Sequence, residues 1–405
     1  MPSGHVTKKG KNWYVVLELD NEDGERNRRW ISAKKELGLA KRPTKAQAEE
    51  LLNKYLRDLQ DGVYVEPTDI TVKEYLLQWL EDYVKPNVKP TTYGTYKNAA
   101  EKHIIPALGK LQLSKLRKSK IKGFIATKQK EGARADKKDG KLSSSSVYNI
   151  FFVLKNMLKH AVEDELIRRN PAEGLSAPKK EKPEVKYWEQ DQAKAFLKAL
   201  REHKDGKNQK KKGHRLYALY LLALTTGMRR GELLGLKWEN IDFKKNTIKV
   251  ASSFVHTNEG DIMQESTKGG KSRIIEVPEG VMKALKQHKK QQAEMLIALK
   301  RPEDKKNNEE KELKNLVFTT TKGTPILPRN FERQLKSLIK KYKLPPLAPH
   351  GLRHTAATKM LEDGVGVKTV AYVLGHEDAS VLLNIYTHVT PKMKTTAAES
   401  MSDLI

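Results

Sequence analysis

Residues 226–232 read TGMRRGE, and this stretch decides how the rest of the chain is interpreted. The apolar run before it, at 217–224 (YALYLLAL), is typical of a buried helix. Gly227 permits a sharp turn at the end of that helix, and a second helix opens at Arg229. Arg229 and Glu232 then lie one turn apart on one face, where Glu232 can orient Arg229 by a charge-assisted hydrogen bond. An arginine held in this way presents a planar fork that matches phosphate oxygens, although an ordinary surface salt bridge explains the pair equally well.

A second motif, HGLRH at residues 350–354, follows a proline-rich lead-in and opens another helix. His350 and Arg353 lie one turn apart and can converge on one ligand. A zinc site is the alternative interpretation, because His350 and His354 are spaced i, i+4 and two more histidines lie downstream. However, the glutamate of an H-E-x-x-H pattern is missing, and an arginine inside the cluster would repel a cation. We therefore favour a site without metal and expect His354 to have a packing or capping role.

Three further residues, His376, Tyr386 and Lys268, are candidates for the same site as the two arginines. His376 follows a glycine and an amphipathic helix, and Tyr386 lies ten residues further on. Lys268 lies in a turn between strands predicted at 247–250 and 273–277. Each alone has an ordinary explanation, as a helix-terminal hydrogen bond, a half-buried ring or a solvated amine. Together with the two arginines, they supply what phosphoryl transfer by a protein nucleophile needs: a phenol to attack, cations to hold the phosphate, and groups that move protons.

The net charge of +28 over 405 residues is the strongest compositional feature. It is spread along the chain and favours a polyanionic partner, nucleic acid first and an anionic membrane surface second; a merely solvated lysine-rich surface is the remaining explanation. No apolar run approaches the roughly 20 residues that span a bilayer, and no signal peptide is recognisable. We expect a cytoplasmic protein with no membrane partner. The absence of cysteine excludes disulfides, thiolate zinc sites and cysteine nucleophiles.

The first 65 residues are predicted to form a small sheet with one helix. Strands are expected at 13–19 (WYVVLEL) and 28–32, with a turn at 21–24 (NEDG) between them. A capping box at 44–47 (TKAQ) opens a helix that runs to about Leu59. The basic side chains here suit a DNA-reading accessory domain, and a simple solubility module is the alternative. They are Lys8, Lys9, Lys11, Arg26, Arg28 and Arg29.

Residues 66–175 are predicted to form a compact helical bundle. A second capping box, at 71–74 (TVKE), opens it. Further helices are expected between Pro90 and Pro106 and over 118–130.

The clearest helix of this bundle starts within 143–146. Its opposite side carries Lys155 and Lys159, which we expect to contact DNA. Its apolar side chains recur at helical spacing, at Val147, Ile150, Phe151, Leu154, Leu158 and Ala161.

A charged stretch with prolines, 176–186, predicts an extended linker. Beyond it, 187–405 mixes helices with short strands. Two hydrophilic stretches interrupt this part, at 204–215 and 301–314, and are interpreted as surface insertions. The fold class is therefore multidomain, mainly α with small β-sheets.

Residues 185–395 resemble the catalytic domain of the tyrosine recombinase (phage-type integrase) family. TGMRRGE resembles the family's first-arginine motif, HGLRH its His-x-x-Arg motif, LGHED its second-histidine motif and NIYTHV its tyrosine motif. The helical part resembles the family's core-binding domain, and the first 65 residues are similar to the arm-binding domain of its integrase branch. The resemblance implies an arm-type DNA-binding domain at 1–65, a helical core-binding domain at 66–175, a linker at 176–186, and a mixed α/β catalytic domain with a C-terminal tail at 187–405.

The resemblance also implies a role for each motif residue. Tyr386 would attack the scissile phosphate, giving a 3′-phosphotyrosyl link and a free 5′-hydroxyl. Arg229 and Arg353 would stabilise the charge on the non-bridging oxygens. Lys268 would protonate the leaving oxygen, although Lys271 is close enough to compete for this role.

The remaining implied roles concern proton transfer and support. His350 would assist proton removal from Tyr386, His376 would hydrogen-bond the phosphate, and Glu232 would support Arg229. No metal, cofactor or ATP is implied, because a covalent intermediate retains the energy of the phosphate bond.

The implied function is site-specific DNA recombination by a nucleoid-associated, bacterial or phage-encoded integrase that integrates and excises a phage or mobile element. Its partners would be double-stranded DNA with core-type and arm-type sites, three further copies in a homotetramer, and a directionality factor or host DNA-bending protein. The tail at 390–405 is expected to dock on a neighbouring subunit. A DNA-binding regulator or inactive relative, a chromosome-type resolvase and a topoisomerase-like enzyme remain as alternatives.

Overall fold

The chain divides into two compact units, Met1–Glu181 and Lys182–Ile405. The structure is a computed structural model, and it describes residues 3–20, 26–39, 41–61, 69–130, 140–181, 185–203, 213–257, 260–264, 272–299 and 315–375. The boundary between the units falls within the stretch 176–186 that the sequence assigns to a linker. Across the described residues, no helix is long and apolar enough to cross a membrane.

The first unit begins with a three-stranded antiparallel sheet in the order β1-β2-β3. Its strands are β1 (Ser3–Lys9), β2 (Asn12–Asp20) and β3 (Arg26–Ser32). β2 and β3 confirm the two predicted strands. β1 is absent from the sequence prediction, because its sequence SGHVTKK has almost no apolar alternation. It is held by its pairing with β2, in which Val6 lies opposite Val15.

Two helices follow the sheet, α1 (Ala33–Glu36) and α2 (Lys45–Gln60). The predicted capping box of α2 is confirmed: the Gln47 N–H donates to the Thr44 hydroxyl at 3.2 Å, and the Thr44 N–H donates to the Gln47 side chain at 2.9 Å. α2 packs on β1 and β2. The buried residues of this small core are Val15, Leu17, Ile31, Ala33, Ala48, Leu51, Leu52 and Tyr55.

The rest of the first unit is a helical bundle around a core of its own. Its helices are α3 (Val72–Trp79), α4 (Lys85–Asn87), α5 (Pro90–Ala99), α6 (Ile105–Leu108), α7 (Lys118–Lys128) and α8 (Ser144–Glu163). The capping box at Thr71 is confirmed, with the Glu74 N–H donating to the Thr71 hydroxyl at 3.2 Å. The predicted apolar stripe of α8 is also confirmed, since every one of its six residues is buried.

The helix predicted between Pro90 and Pro106 does not end before Pro106, and this prediction was wrong. A wide π-type turn, Ala100–Ile104, continues α5 into α6, and the Ile105 N–H donates to the Ala100 carbonyl. Pro106 lies in the first turn of α6. A missing N–H costs least at that position, so the proline is tolerated and helical structure runs to Leu108.

The second unit combines helices with two small sheets. One is a three-stranded antiparallel sheet in the order β4-β5-β8, and the other is the β6-β7 hairpin. The strands are β4 (Ile241–Asp242), β5 (Thr247–Val250), β6 (Ser253–Thr257), β7 (Gly260–Gln264) and β8 (Arg273–Glu276). The helices are α9 (Gln190–Arg201), α10 (Tyr217–Thr226), α11 (Arg230–Leu234), α12 (Glu279–Ala298), α13 (Pro328–Lys341), α14 (Pro349–Glu362) and α15 (Val367–Leu374).

Helix α10 forms the centre of this unit. It packs against α9, α12 and α14, and Leu219, Tyr220 and Leu222 are fully buried. The predicted buried helix and the predicted strands β5 and β8 are thereby confirmed. The insertion at 301–314 and most of that at 204–215 lie outside the described residues.

Candidate active site

Two helices of the second unit end side by side, each at a left-handed glycine. Gly227 ends α10 with φ of 62°, and Gly375 ends α15 with φ of 72°. Glycine adopts this conformation without the steric cost that a Cβ brings. A Cβ on Gly227 would lie 2.4 Å from Leu374 Cδ2, so the two helix ends are in direct contact.

Arg353 of α14 joins these two helix ends. Its side chain is buried, and its Nη1 donates to the carbonyl oxygens of Gly227 at 3.0 Å and Leu374 at 2.7 Å. Carbonyls at the C-terminal end of a helix carry partial negative charge, which attracts a guanidinium. The position of Arg353 is therefore fixed by the fold itself.

Arg229 reaches the same place from the start of α11. Its Nη1 donates to Glu232 Oε1 at 2.9 Å, and its backbone N–H donates to Glu232 Oε2 at 2.9 Å. Its Nη2 donates to the Gly375 carbonyl at 2.5 Å. The predicted pairing of Arg229 with Glu232 is confirmed, and both arginines of the prediction converge on the turn at the end of α15.

Glu232 is 1% exposed and is ionised despite its burial. Burial by itself raises the pKa of this carboxyl, but the hydrogen bonds and charges of Arg273 and Arg229 outweigh it. The pKa of Glu232 is therefore held below its ordinary range. A buried carboxylate between two guanidinium groups fixes the orientation of both.

Arg273 is a residue of this cluster that the sequence prediction missed. Its Nη2 donates to Glu232 Oε2 at 2.8 Å, its Nη1 to Glu232 Oε1 at 3.2 Å, and its Nε to the Val373 carbonyl at 2.9 Å. One signal was available: in strand β8, period-2 alternation places Arg273 on the same side as the buried Ile275. A basic residue on the buried side of a strand needs a partner inside the protein.

His350 and His354 lie in the first two turns of α14. His350 is exposed and His354 partly buried, with their ring centroids 4.6 Å apart at an interplanar angle of 87°. His350 is one turn from Arg353, as predicted. Within the described ranges, no three histidine, aspartate or glutamate side chains are grouped so as to hold a metal ion.

Four residues of the predicted site lie outside the described residues. They are Lys268, Lys271, His376 and Tyr386. His376 and Lys271 are close in sequence to residues that the structure describes. Gly375 directly precedes His376, and β8 begins two residues after Lys271. The described part of the site therefore consists of Arg229, Glu232, Arg273, His350 and Arg353.

The predicted basic residues of the N-terminal sheet do not all share one face. Five of the six are exposed: Lys8, Lys9, Lys11, Arg28 and Arg29. The structure does not describe the side chain of Arg26. In the strand register, Lys9 and Arg28 share the face that carries Trp30, opposite α2. Lys9 Nζ lies 5.8 Å from the Trp30 ring centroid, and Trp30 is 53% exposed. Lys8 and Arg29 lie on the opposite face of the sheet, the one that faces α2.

Lys155 and Lys159 are exposed on α8, as predicted. They line a groove of about 640 Å³. Its wall also contains Tyr148, Phe152, Arg168 and Arg169. Basic and aromatic side chains together suit contact with a nucleic acid backbone.

Two sequence families match the chain. The profile described as "Phage integrase family" matches residues 186–393, and that described as "Phage integrase, N-terminal SAM-like domain" matches residues 71–128. The first range contains Arg229, His350 and Arg353 of the cluster and also Tyr386.

Curated relatives match over most of their length. A "Tyrosine recombinase XerC-like" protein of Caldanaerobacter subterraneus subsp. tengcongensis is 31% identical over 99% of this chain and 98% of its own. The "ICEBs1 integrase" of Bacillus subtilis is 23% identical over 89% of this chain and 91% of its own. Among solved structures, the Tn1549 transposon integrase in complex with a circular intermediate DNA has a TM-score of 0.63 at 22% identity, covering 82% of this chain and 99% of that one. The last comparison establishes likeness of fold.

Proposed function

Because the chain belongs to the phage integrase family and is a tyrosine-type site-specific recombinase, we propose that Tyr386 is its nucleophile. The Tyr386 oxygen forms a bond to the scissile phosphorus while the bond from phosphorus to the 5′-oxygen breaks. The DNA strand is then held through a 3′-phosphotyrosyl link and has a free 5′-hydroxyl. Reversal on a different strand completes recombination, without ATP.

Arg229 and Arg353 hold the non-bridging oxygens in this proposal. The observation that supports it best is that both guanidinium groups are anchored on the turn at the end of α15, Arg353 on Leu374 and Arg229 on Gly375. That turn leads directly into His376, to which the proposal gives a hydrogen bond to the phosphate. Donors that are fixed before the reaction need no reorganisation as charge develops, so such arrays contribute strongly to rate.

Proton transfer is assigned to a lysine and a histidine. Lys268 gives a proton to the leaving 5′-oxygen, with Lys271 as the competing candidate, and His350 assists removal of the proton from Tyr386. A free tyrosine has a pKa of about 10, so the phenolate needs cations close by. Exposure of His350 on the first turn of α14 is compatible with a group that meets substrate.

We further propose that the enzyme integrates and excises a mobile element, acting as a homotetramer on double-stranded DNA. Residues 1–65 would read arm-type sites, 66–175 would grip core-type sites, 176–186 would link the parts and 187–405 would cleave. Exposed Lys9, Arg28 and Trp30 on one sheet face support the first assignment. The groove of α8 with Lys155 and Lys159 supports the second. A directionality factor or host DNA-bending protein completes the proposed assembly.

Covalent capture of DNA tests this function. The wild-type protein is incubated with a pool of supercoiled plasmids carrying random inserts, in EDTA and without ATP, and quenched with detergent. Protein-linked DNA is collected and sequenced, which also identifies the cleaved site. We expect adducts from the wild type and none from Tyr386→Phe, which lacks only the nucleophilic oxygen and keeps the wild-type affinity for the same duplexes.

Two results would contradict the proposal. Adducts formed equally well by Tyr386→Phe would place the nucleophile elsewhere. Tight, sequence-specific binding by the wild type without any adduct would indicate a DNA-binding regulator instead.

A further inference from the structure

Arg273 is a buried cation, within the part of the chain that the structure describes, that the proposed reaction does not use. It is 6% exposed, and it donates hydrogen bonds to Glu232 and to the Val373 carbonyl near the end of α15. Burying a guanidinium is costly unless it is fully paired, and truncating one partner of a buried pair is strongly destabilising. Arg273 therefore cannot be removed without leaving Glu232 short of a partner.

Arg273 and Arg229 share one carboxylate. Arg229 Nη1 and Arg273 Nη1 both donate to Glu232 Oε1, at 2.9 and 3.2 Å. Without Arg273, the charge of Glu232 would be balanced by Arg229 alone, and the positive field that Arg229 offers to a phosphate would be cancelled. With Arg273 present, the three side chains together carry one net positive charge.

Arg273 also shapes the turn at the end of α15. Its Nε donates to the Val373 carbonyl at 2.9 Å, and a Cβ on Gly375 would lie 2.6 Å from its Nη1. The guanidinium thus lies directly against the glycine whose carbonyl accepts from Arg229. Moving Arg273 would displace the backbone that leads into His376.

We propose that Arg273 is a positioning residue for the cleavage reaction, acting through Glu232 on the charge and orientation of Arg229 and through Val373 and Gly375 on the turn before His376. The inference rests on the role proposed above for Arg229. Arg273 does not touch the phosphate, and it makes and breaks no bond.

Arg273→Gln and Arg273→Lys test the inference on the duplexes that the wild-type protein captures covalently. We expect Arg273→Gln to lower the single-turnover cleavage rate by roughly 100-fold, the size of effect that small misplacements of catalytic groups produce. Arg273→Lys keeps the charge but not the planar fork, and it restores part of the rate. The dissociation constant for the same duplex stays within about twofold, because the lost interaction acts on the transition state.

A double-mutant cycle with Glu232→Gln separates positioning from general damage to the fold. Since Arg273 acts through Glu232, its replacement costs much less in a Glu232→Gln background than in the wild type. Arg215→Gln is the matched control: Arg215 is another arginine of the second unit, and it donates to the Thr319 carbonyl at 2.5 Å, so its loss should leave cleavage unchanged. Melting temperatures of all variants are measured alongside.

The outcomes are distinguishable. If the wild type forms no adduct, the proposed function fails. If the wild type cleaves and both Arg273 variants cleave at the same rate, the inference fails while the function stands. Fully additive effects of Arg273→Gln and Glu232→Gln would likewise overturn it, because they would show that Arg273 does not act through Glu232.

Discussion

Among single side chains, Glu232 connects two arginines, Arg229 and Arg273, in the described part of the candidate active site. It is buried, it receives hydrogen bonds from Arg229 and Arg273, and its ionised form is required by both. A carboxylate whose pKa is lower in the folded than in the unfolded protein stabilises the fold above its unfolded pKa. That stability is lost as the pH falls through the folded pKa.

Glu232→Gln should therefore destabilise the protein in a pH-dependent way. At pH 7, we expect a loss of about 3 kcal/mol in the free energy of unfolding, the lower end of the range for breaking a buried ion pair. The difference from wild type should be constant above about pH 5.5 and shrink as the pH falls below about 4.3, the ordinary pKa of glutamate. Urea unfolding of both proteins across this pH range measures it.

Glu279→Gln provides the control for this titration. Glu279 is exposed on α12 and pairs with Lys283 at 2.8 Å, and this hydrogen bond and charge lower the pKa of Glu279. Solvent screens such a pair, so its removal should barely change stability at any pH. A Glu232→Gln difference that does not vary with pH would show that the pKa of the Glu232 carboxyl is the same in the folded and the unfolded protein. A difference that changes in the opposite direction, as the pH rises above about 4.3, would show that this pKa is raised by folding.

Sequence reasoning found Arg229 with Glu232 but missed Arg273, and the reason is distance along the chain. Arg229 and Glu232 are three residues apart, so helix geometry alone brings them together. Glu232 and Arg273 are separated by 41 residues, and their contact depends on how β8 packs beside α11 and α15. No local pattern contains that information.

Among the helices and strands, α10 and α15 each need a glycine at the left-handed position where the helix ends. Gly227→Ala should lower the free energy of unfolding by about 3 kcal/mol, combining the strain of a left-handed alanine with overpacking against Leu374. Gly364→Ala is the matched control, because Gly364 has φ of 80° and nothing within 4 Å of the added Cβ. It should cost only the strain, about 1 kcal/mol.

Thermal or urea unfolding followed by tryptophan fluorescence measures both variants, with Trp188 and Trp238 in the second unit. Equal losses for the two substitutions would show that the close contact between Gly227 and Leu374 is unimportant. Binding of DNA by Gly227→Ala below its melting temperature would still be expected through the first unit.

The elements that sequence predicted well are those with strong local signals. Capping boxes at Thr44 and Thr71 and the apolar stripe of α8 were confirmed because each is determined within one or two turns. β1 and the helix through Pro106 escaped prediction for the opposite reason. β1 depends on its pairing with β2, and the passage through Pro106 depends on a π-type turn that propensities do not indicate.

For the chain as a whole, the net charge of +28 predicts that DNA binding falls steeply with salt. Each neutralised phosphate contributes a slope of about −0.9 in log K against log salt concentration. Fluorescence anisotropy with a labelled duplex between about 50 and 200 mM salt measures this slope. Arg28→Gln should reduce its magnitude by about 1, whereas Lys283→Gln, on α12 and paired with Glu279, should leave it unchanged. A slope near zero would contradict binding through the phosphate backbone.

The hydrogen bonds of Arg229 and Arg353 to the turns at Gly227 and Gly375 also depend on the order in which the chain is synthesised. Arg353 bonds a carbonyl 126 residues earlier in the chain, and Arg229 bonds one 146 residues later. A ribosome that has translated Arg229 must therefore still add Leu374 and Gly375 before both arginines acquire these hydrogen bonds. Nascent chains emerge and fold from the N-terminus, so the first unit can form while the cleavage chemistry does not yet exist. A chain that stops before Leu374 therefore lacks the arrangement in which both arginines are held.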